Sequence, residues 1–328
     1  MLVQFGVENF MSFRDWTVFS MLAGSEKEHE EILIESGREK LLPAAWIYGA
    51  NGAGKTNLFL AMKAALDVIL HGTLMQIKPY VLKMDEASSF DFIYTAGKVK
   101  YQYGFTADRE RIREEYLRVY RTKKPSLVFM RDENEVRFNR RKQYGEIRKE
   151  RLVLPEVKDA YEWFIHGIDV HMGEETEITD PGFTRCLLEL VDMEVSEGKD
   201  ALKSEGARRL IQMSPLIQKA LRTGSVLVVD DLDRSLHPNV VKYLVTLFEE
   251  RGNGAQLIFS THDTSLLDLD FARRDQIYFV EKNRRSASSE LYALDQFSVI
   301  ENENIRDGYL RGRFCAIPTI SIGDLDIE

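Results

Sequence analysis

The chain has 328 residues, a formal net charge of −9, 44% hydrophobic residues and 30% charged residues. That length buries one large α/β core, or a core with a subdomain, and the acidic balance argues against a surface coated with cations for nucleic acid. The longest apolar runs, such as Val226–Val229, are far too short to cross a bilayer, Met1–Phe5 lacks a secretory signal pattern, and Cys186 and Cys315 share no ligand or redox spacing; a cytoplasmic protein with no membrane contact and two reduced packing cysteines is expected.

In chain order, Leu2–Asn9 alternates in part and Thr17–Leu22 follows a turn at Arg14-Asp15, so both read as strands. Ala44–Tyr48 reads as a short buried strand running into Gly49-Ala50-Asn51-Gly52-Ala53-Gly54-Lys55-Thr56, a complete G-x-x-x-x-G-K-[ST] loop. Backbone N–H groups of such a loop wrap the α- and β-phosphates, its Lys reaches the β/γ-phosphates, and its Thr hydroxyl ligates Mg²⁺. A helix starting at Asn57 leaves the loop and ends near His71-Gly72. Strand, loop and helix together predict a nucleoside triphosphate site for ATP with Mg²⁺, lined by Gly49 to Asn57.

From Tyr80 to Phe138 the chain favours strands, among them Phe90–Tyr94, Val99–Phe105 and Leu127–Met130, with turns such as Ala96-Gly97-Lys98 between them. Residues 109–151 are locally basic, net roughly +7, and densest at Arg140-Arg141-Lys142. A solvated face is the plain reading; a nucleic-acid or acidic-partner contact is the alternative, because Tyr116, Tyr120, Phe138 and Tyr144 are interleaved with the cations. Residues 140–200 read as polar and helix-rich, with Val157–Ile165 the clearest helix. His166 and His171 are five apart without acidic or Cys companions at ligand spacing, which suggests structural roles. Arg209–Arg222 carries an apolar stripe through Leu210, Met213 and Ile217 and stops at Gly224. No internal repeat or heptad run is present.

Two later strands bring polar groups to their carboxyl ends, where open α/β sheets bind ligands. Val226–Val229 is apolar throughout, as a strand buried on both faces should be, and runs into Asp230-Asp231. Asp230 is placed to hold Mg²⁺ with Thr56, and Asp231 to orient or deprotonate the attacking water. Ala255–Ser260 is the next such strand and ends in Thr261-His262-Asp263, which puts His262 within reach of a γ-phosphate. Ser204-Glu205-Gly206 precedes the amphipathic helix and offers a hydroxyl, free N–H groups and a positive dipole end to an anion.

Loop, Ser-x-Gly helix, acidic strand and strand-end His, in that order, resemble the ABC-type ATPase heads of SMC, RecF and OLD proteins. Asp230-Asp231-Leu232-Asp233-Arg234-Ser235-Leu236-His237-Pro238 is similar to a segment of prokaryotic AAA-annotated, ABC-like ATPases of the RloA and AbiL-like abortive-infection group. Asn9–Asp15 resembles that group's opening, and Tyr309–Pro318 its close, so the resemblance spans nearly the whole chain. It implies a P-loop NTPase fold of the α/β class, with a mostly parallel core sheet, an antiparallel β lobe and a helical subdomain. Within one domain, 1–140 would carry the nucleotide-binding lobe, 141–222 the helical subdomain, and 223–328 the acidic strand and switch His. Two protomers would sandwich two nucleotides, with Ser204, Glu205 and Gly206 acting in trans, Asp230 holding magnesium, Asp231 as the catalytic acid position, His262 as the switch His and Asp233–His237 crossing the interface.

The chain departs from that group in four places. Asp231 stands where Glu is usual; one methylene less moves the carboxylate by about 1.5 Å, and a misplacement of about 1 Å costs on the order of a hundredfold in rate. Met11 replaces an Arg of the opening motif, residues 165–203 are shorter than in relatives, and the Q-loop glutamine has only Gln76 and Gln102 as candidates. The function expected is an ATPase that dimerises on ATP and drives or gates a separate effector, a nuclease or Toprim-like protein, in anti-phage defence. A nucleotide-gated scaffold with little turnover, or a RecF-like DNA-repair ATPase using residues 109–151, are the alternatives.

Overall fold

The computed structural model describes residues 1–133, 135–138, 158–174, 176–177, 180–190, 204–251, 253–298 and 304–317. Along the chain come β1 (Leu2–Glu8), β2 (Thr17–Ser20), β3 (Ile34–Ser36), β4 (Glu39–Leu41), β5 (Ala44–Tyr48), α1 (Lys55–His71), β6 (Ser88–Ala96), β7 (Val99–Ala107), β8 (Ile112–Tyr120), β9 (Ser126–Asp132) and β10 (Glu135–Phe138). They are followed by α2 (Lys158–His166), β11 (Ile168–His171), α3 (Pro181–Leu190), α4 (Glu205–Thr223), β12 (Val226–Val229), α5 (Pro238–Arg251), β13 (Gln256–Ser260), β14 (Ile277–Lys282), β15 (Ser289–Ala293) and α6 (Ile305–Leu310).

Among these residues the strands form two large sheets and the β3–β4 hairpin. The antiparallel sheet has seven strands in the order β10-β9-β8-β7-β6-β1-β2. The core sheet has the order β11-β12-β13-β5-β14-β15, parallel from β11 through β14, with β15 antiparallel at the edge. A strand of the core sheet is buried on both faces, and its alternating side chains split between two apolar clusters. Ala45, Ile47, Val226, Val228 and Ile258 join α1 and the inner face of the antiparallel sheet. Trp46, Tyr48, Leu227, Val229, Leu257 and Phe259 join α4, α5 and α6 on the other side.

Helix α1 is therefore apolar on nearly every face, with Leu58, Phe59, Met62 and Leu66 all buried between the two sheets. Each such side chain contributes about 1.5–3 kcal/mol when fully buried, which holds the loop before α1 at a fixed height above the core sheet. Helix α4 begins at Ser204, whose hydroxyl accepts the Ala207 N–H at 3.0 Å, and ends where Gly224 takes a left-handed φ of 67°. Pro215 removes one internal hydrogen bond from this helix. The carbonyl left over, that of Ile211, accepts instead from the Ser214 hydroxyl at 2.9 Å.

Strand β11 lies inside the region read as helix-rich, and it pairs with β12 so that His171 stands opposite Val229. Cys186 and Cys315, expected as packing residues, are both exposed free thiols. Arg140, Arg141, Lys142 and Tyr144 lie outside the described residues, as do 175, 178–179 and 191–203 of the stretch read as shortened before Ser204. Among the described residues no helix is long and apolar enough to cross a membrane.

Glu249 on α5 accepts a hydrogen bond from Gln276 Nε2 at 3.0 Å, and burial pushes its carboxyl from 4.5 up to about 7. The folded state therefore keeps a proton that the unfolded chain releases above 4.5, and stability falls as pH rises from there to about 7. Glu249→Gln preserves the acceptor and removes the charge. Its melting temperature at pH 8 is expected to exceed that of the unaltered chain by roughly 2–5 °C, with no gain at pH 4.5; thermal denaturation at the two pH values checks this.

Candidate functional site

Strands β5, β12 and β13 are adjacent and parallel, so their carboxyl ends bring the phosphate loop, the acidic pair and the strand-end His to one rim of the core sheet. The loop turns tightly, with the Ala53 N–H bonded to the Ala50 carbonyl at 3.0 Å and Gly52 at a φ of 75°. A Cβ on Gly52 would meet nothing within 4 Å, so the crown of the loop opens outward, whereas one on Gly49 would sit 2.5 Å from the Val280 carbonyl. Gly54 has a φ of 120°, and a Cβ there would lie 2.2 Å from Ser289 Oγ and 2.8 Å from Ser12 Oγ. Ser12 also accepts a hydrogen bond from Asn57 Nδ2 at 2.7 Å, and Ser289 Oγ donates to it at the same distance. The opening motif and β15 thus buttress the loop from behind. Gly54→Ala combines a strained backbone with overpacking against two hydroxyls, and is expected to cost about 2–4 kcal/mol of stability and most nucleotide affinity. Thermal denaturation and titration with a fluorescent ATP analogue measure both.

Lys55 is only 6% exposed. Its ammonium donates to the Gly49 carbonyl at 2.8 Å and lies 3.1 Å from His262 Nε2, which accepts and so leaves the ring hydrogen on Nδ1. Burial pulls the Lys55 ammonium below its ordinary 10.5, opposed by the carboxylates of Asp231, Asp230 and Asp233. Asp230 is oriented through both oxygens: Thr56 Oγ1 donates to Oδ2 at 2.8 Å and Ser260 Oγ to Oδ1 at 2.6 Å. Ser260 Oγ in turn accepts the Asp231 N–H at 2.7 Å, and Asp231 sits at a left-handed φ of 49°. Asp233 Oδ2 accepts the His262 N–H at 3.0 Å, which locks the acidic turn to the end of β13. A hydroxyl beside an oriented carboxylate is the hard oxygen donor set that suits Mg²⁺, and an outward glycine crown over a desolvated ammonium suits a triphosphate. The residues present fit both.

Thus Gly49 to Asn57, Asp230, Asp231 and His262 come together on one rim. Ser204 and Glu205 are exposed at the start of α4, and Gly206 is buried. Gln102 lies on the outer face of the antiparallel sheet, bonded to Asp91, Arg118 and Tyr120, while Gln76 is an exposed residue of the α1–β6 connection. The flank of Asp230 is taken instead by His171, whose carbonyl accepts the Asp230 N–H at 3.2 Å and whose Nδ1 lies 3.5 Å from Glu174. Glu174 is the acidic companion of His171 that the spacing argument overlooked. Burial and the neighbouring Arg209 cation push the His171 imidazole below 6.5.

Three contributors have no motif of their own, Ser260, Ser289 and Arg209, and Ser12 belongs to the opening motif without a role that the sequence assigned. Arg209 lies one turn into α4, and its guanidinium donates to the carbonyls of Asp230 at 3.1 Å and Asp231 at 3.4 Å. It is the tie between the Ser-x-Gly helix and the acidic turn. Of these three only Ser260, polar at the end of a buried strand and two residues before His262, offered a sequence signal.

The family model described as "AAA domain, putative AbiEii toxin, Type IV TA system" matches residues 45–152 and 191–268, more than half of the chain, and takes in the phosphate loop, Ser204–Gly206, Asp230, Asp231 and His262. The chain belongs to this family. A "Retron Vc95 probable ATPase" of Vibrio cholerae serotype O1 biovar El Tor is 27% identical over 124 residues, which cover 37% of this chain and 23% of that protein. The chain thus spans less than a quarter of the length of that relative. The SMC head domain from Thermotoga maritima superposes over 91% of this chain and 99% of its own, with a TM-score of 0.50 at 14% identity. An SMC head bound to the C-winged helix domain of ScpA aligns over 89% of this chain and 97% of its own, with a TM-score of 0.49 and 12% identity. The fold is that of an ABC-type P-loop ATPase head, as the opening resemblance implied.

Proposed function

We propose that this AbiEii-type head is a cytoplasmic, magnesium-dependent ATPase that dimerises on ATP and gates a separate effector, a nuclease or Toprim-like protein, in anti-phage defence. The observation that carries the reading is the continuous chain Thr56–Asp230–Ser260–Asp231 beside the Lys55–His262 pair. Lys55 would exchange the Gly49 carbonyl and His262 for phosphate oxygens, gaining charge-assisted hydrogen bonds. Thr56 and Asp230 would hold magnesium, which when bound neutralises charge on the β- and γ-phosphates. Asp231 would orient the attacking water and take its proton, and His262, released by Lys55, would be free to carry its ring hydrogen on Nε2 and donate to the γ-phosphate side.

The start of α4 supports a composite site. Ser204 and Glu205 present the helix dipole outward, where a second protomer's nucleotide would be capped by Ser204-Glu205-Gly206. Arg209 then gives a path from that cap to the acidic turn of its own chain. The family description and the retron ATPase relative support a place in defence. Slow turnover, with the bound state as the working state, is favoured by one observation: Asp231 is a short carboxylate in a constrained left-handed turn. Steady-state ATP hydrolysis with magnesium, set against Lys55→Ala, tests the enzymatic claim; a rate no higher than that variant's background contradicts it.

A further inference from the structure

At one end of the antiparallel sheet, three turns bring exposed cations together. Ala96 pairs with Val99, so Gly97 and Lys98 form the β6–β7 turn. Val119 pairs with Ser126, which leaves Arg121, Lys123 and Lys124 in the β8–β9 turn. Lys100 pairs with Tyr120, so both turns leave the sheet at the same end. The Lys100 ammonium bonds both carboxylate oxygens of Glu39, at 2.7 and 2.8 Å, and this draws the β3–β4 turn with Arg38 to the same place. Arg38, Lys98, Arg121, Lys123 and Lys124 are all exposed.

The rest of the same basic segment behaves differently. Arg111 pairs with Glu133 at 3.1 Å, Arg113 with Asp108 at 2.5 Å, Arg137 with Glu135 at 3.0 Å, and Arg131 with the buried Glu115. None of the five turn cations has a carboxylate within ion-pair distance among the described residues, and Glu39, which follows Arg38 in the chain, is committed to Lys100. In a chain of net charge −9, like charges gathered without counter-charges repel one another, and a polyanion relieves that repulsion.

The aromatic side chains decide which polyanion. The Tyr116 ring is covered by the Arg118 guanidinium at 4.5 Å and its hydroxyl donates to Asp91 at 2.5 Å. The Tyr120 ring carries the Lys100 ammonium at 5.2 Å and its hydroxyl donates to Gln102 at 3.1 Å. Each ring already carries a cation on one face, so among the described residues this end offers phosphate contacts rather than a free stacking platform for a single strand. The two neighbouring turns are two strands apart, about 10 Å, close to the roughly 12 Å width of the major groove of B-DNA.

We propose that these three turns form a docking surface for duplex DNA, which they hold through its phosphates without reading its sequence. The test uses the full chain and a fluorescein-labelled mixed-sequence duplex, with anisotropy followed from about 50 to 200 mM salt. Replacing Lys98, Arg121, Lys123 and Lys124 together by Ser is expected to weaken binding at least roughly 30-fold and to flatten the log–log salt slope by about 3. Arg111→Ser with Arg113→Ser is expected to change it less than about twofold, and thermal denaturation and ATP-analogue binding confirm that both variants are folded. The proposal is overturned by no duplex binding at low salt, by equal affinity of the four-site variant, or by a single strand or an RNA duplex outcompeting duplex DNA.

Discussion

Lys55→Ala is expected to lower ATP affinity at least about 100-fold while leaving the melting temperature of the nucleotide-free protein within about 2 °C. The two halves of this result have one cause. The Lys55 ammonium is buried at a cost that pulls its proton affinity down, and in the nucleotide-free protein it recovers only a carbonyl and an imidazole nitrogen in return. Removing it relieves desolvation roughly as much as it loses hydrogen bonds, so the fold is indifferent. On the proposed function a triphosphate is the partner for which that ammonium is desolvated, and there the loss would be uncompensated. Saturating ATP at about 100 times Kd stabilises a binding-competent protein by about 2.7 kcal/mol; this shift should be present in the unaltered chain and vanish in Lys55→Ala. A fall in the nucleotide-free melting temperature with the ATP shift retained would mark Lys55 as a packing residue.

Asp231→Asn is expected to reduce turnover by about 10²–10³ and to leave ATP affinity within roughly threefold. Asn is the right replacement because Asp231 lies at a left-handed φ of 49°, a region that Asn tolerates as well as Asp does. The Asp231 N–H keeps its bond to Ser260, and the Asp231 carbonyl keeps Arg209 and the turn contact from Arg234. Only the carboxylate is lost. Rapid-quench turnover alongside analogue binding separates the two effects, and an unchanged rate would take Asp231 out of the chemistry.

Local pattern carried the parts of the site that lie within a few residues of one another. The Gly49–Thr56 loop, the apolar run before Asp230 and the strand before His262 are each a single element followed by its polar end, and all three stand on one rim of the core sheet. The amphipathic period of Arg209–Arg222 likewise marks α4, because its apolar face must pack on β12 and α3. What the sequence hides is long-range. Ser12 and Ser289 meet behind Gly54 only because β15 folds back on the opening segment. Four residues, Ile168–His171, are too few and too mixed to announce β11, and only pairing with β12 makes them a strand. In the basic segment, alternation along β8 puts Tyr116, Arg118 and Tyr120 on one face, where Asp91 and Gln102 from other strands occupy them. A charge count over 109–151 therefore mixes paired arginines with the exposed turn cations.

The central claim is a site completed by a second protomer, and the mass of the Asp231→Asn variant in solution tests it most directly. With magnesium and saturating ATP, multi-angle light scattering should show this slow variant at twice its chain mass of 37.9 kDa, and at the single-chain mass without nucleotide. Ser204→Arg in the same background should bind ATP and stay at the single-chain mass, because a bulky cation would stand on the exposed helix end that the proposed dimer would bury. Asp231→Asn saturated with ATP yet remaining at the mass of one chain would contradict the account.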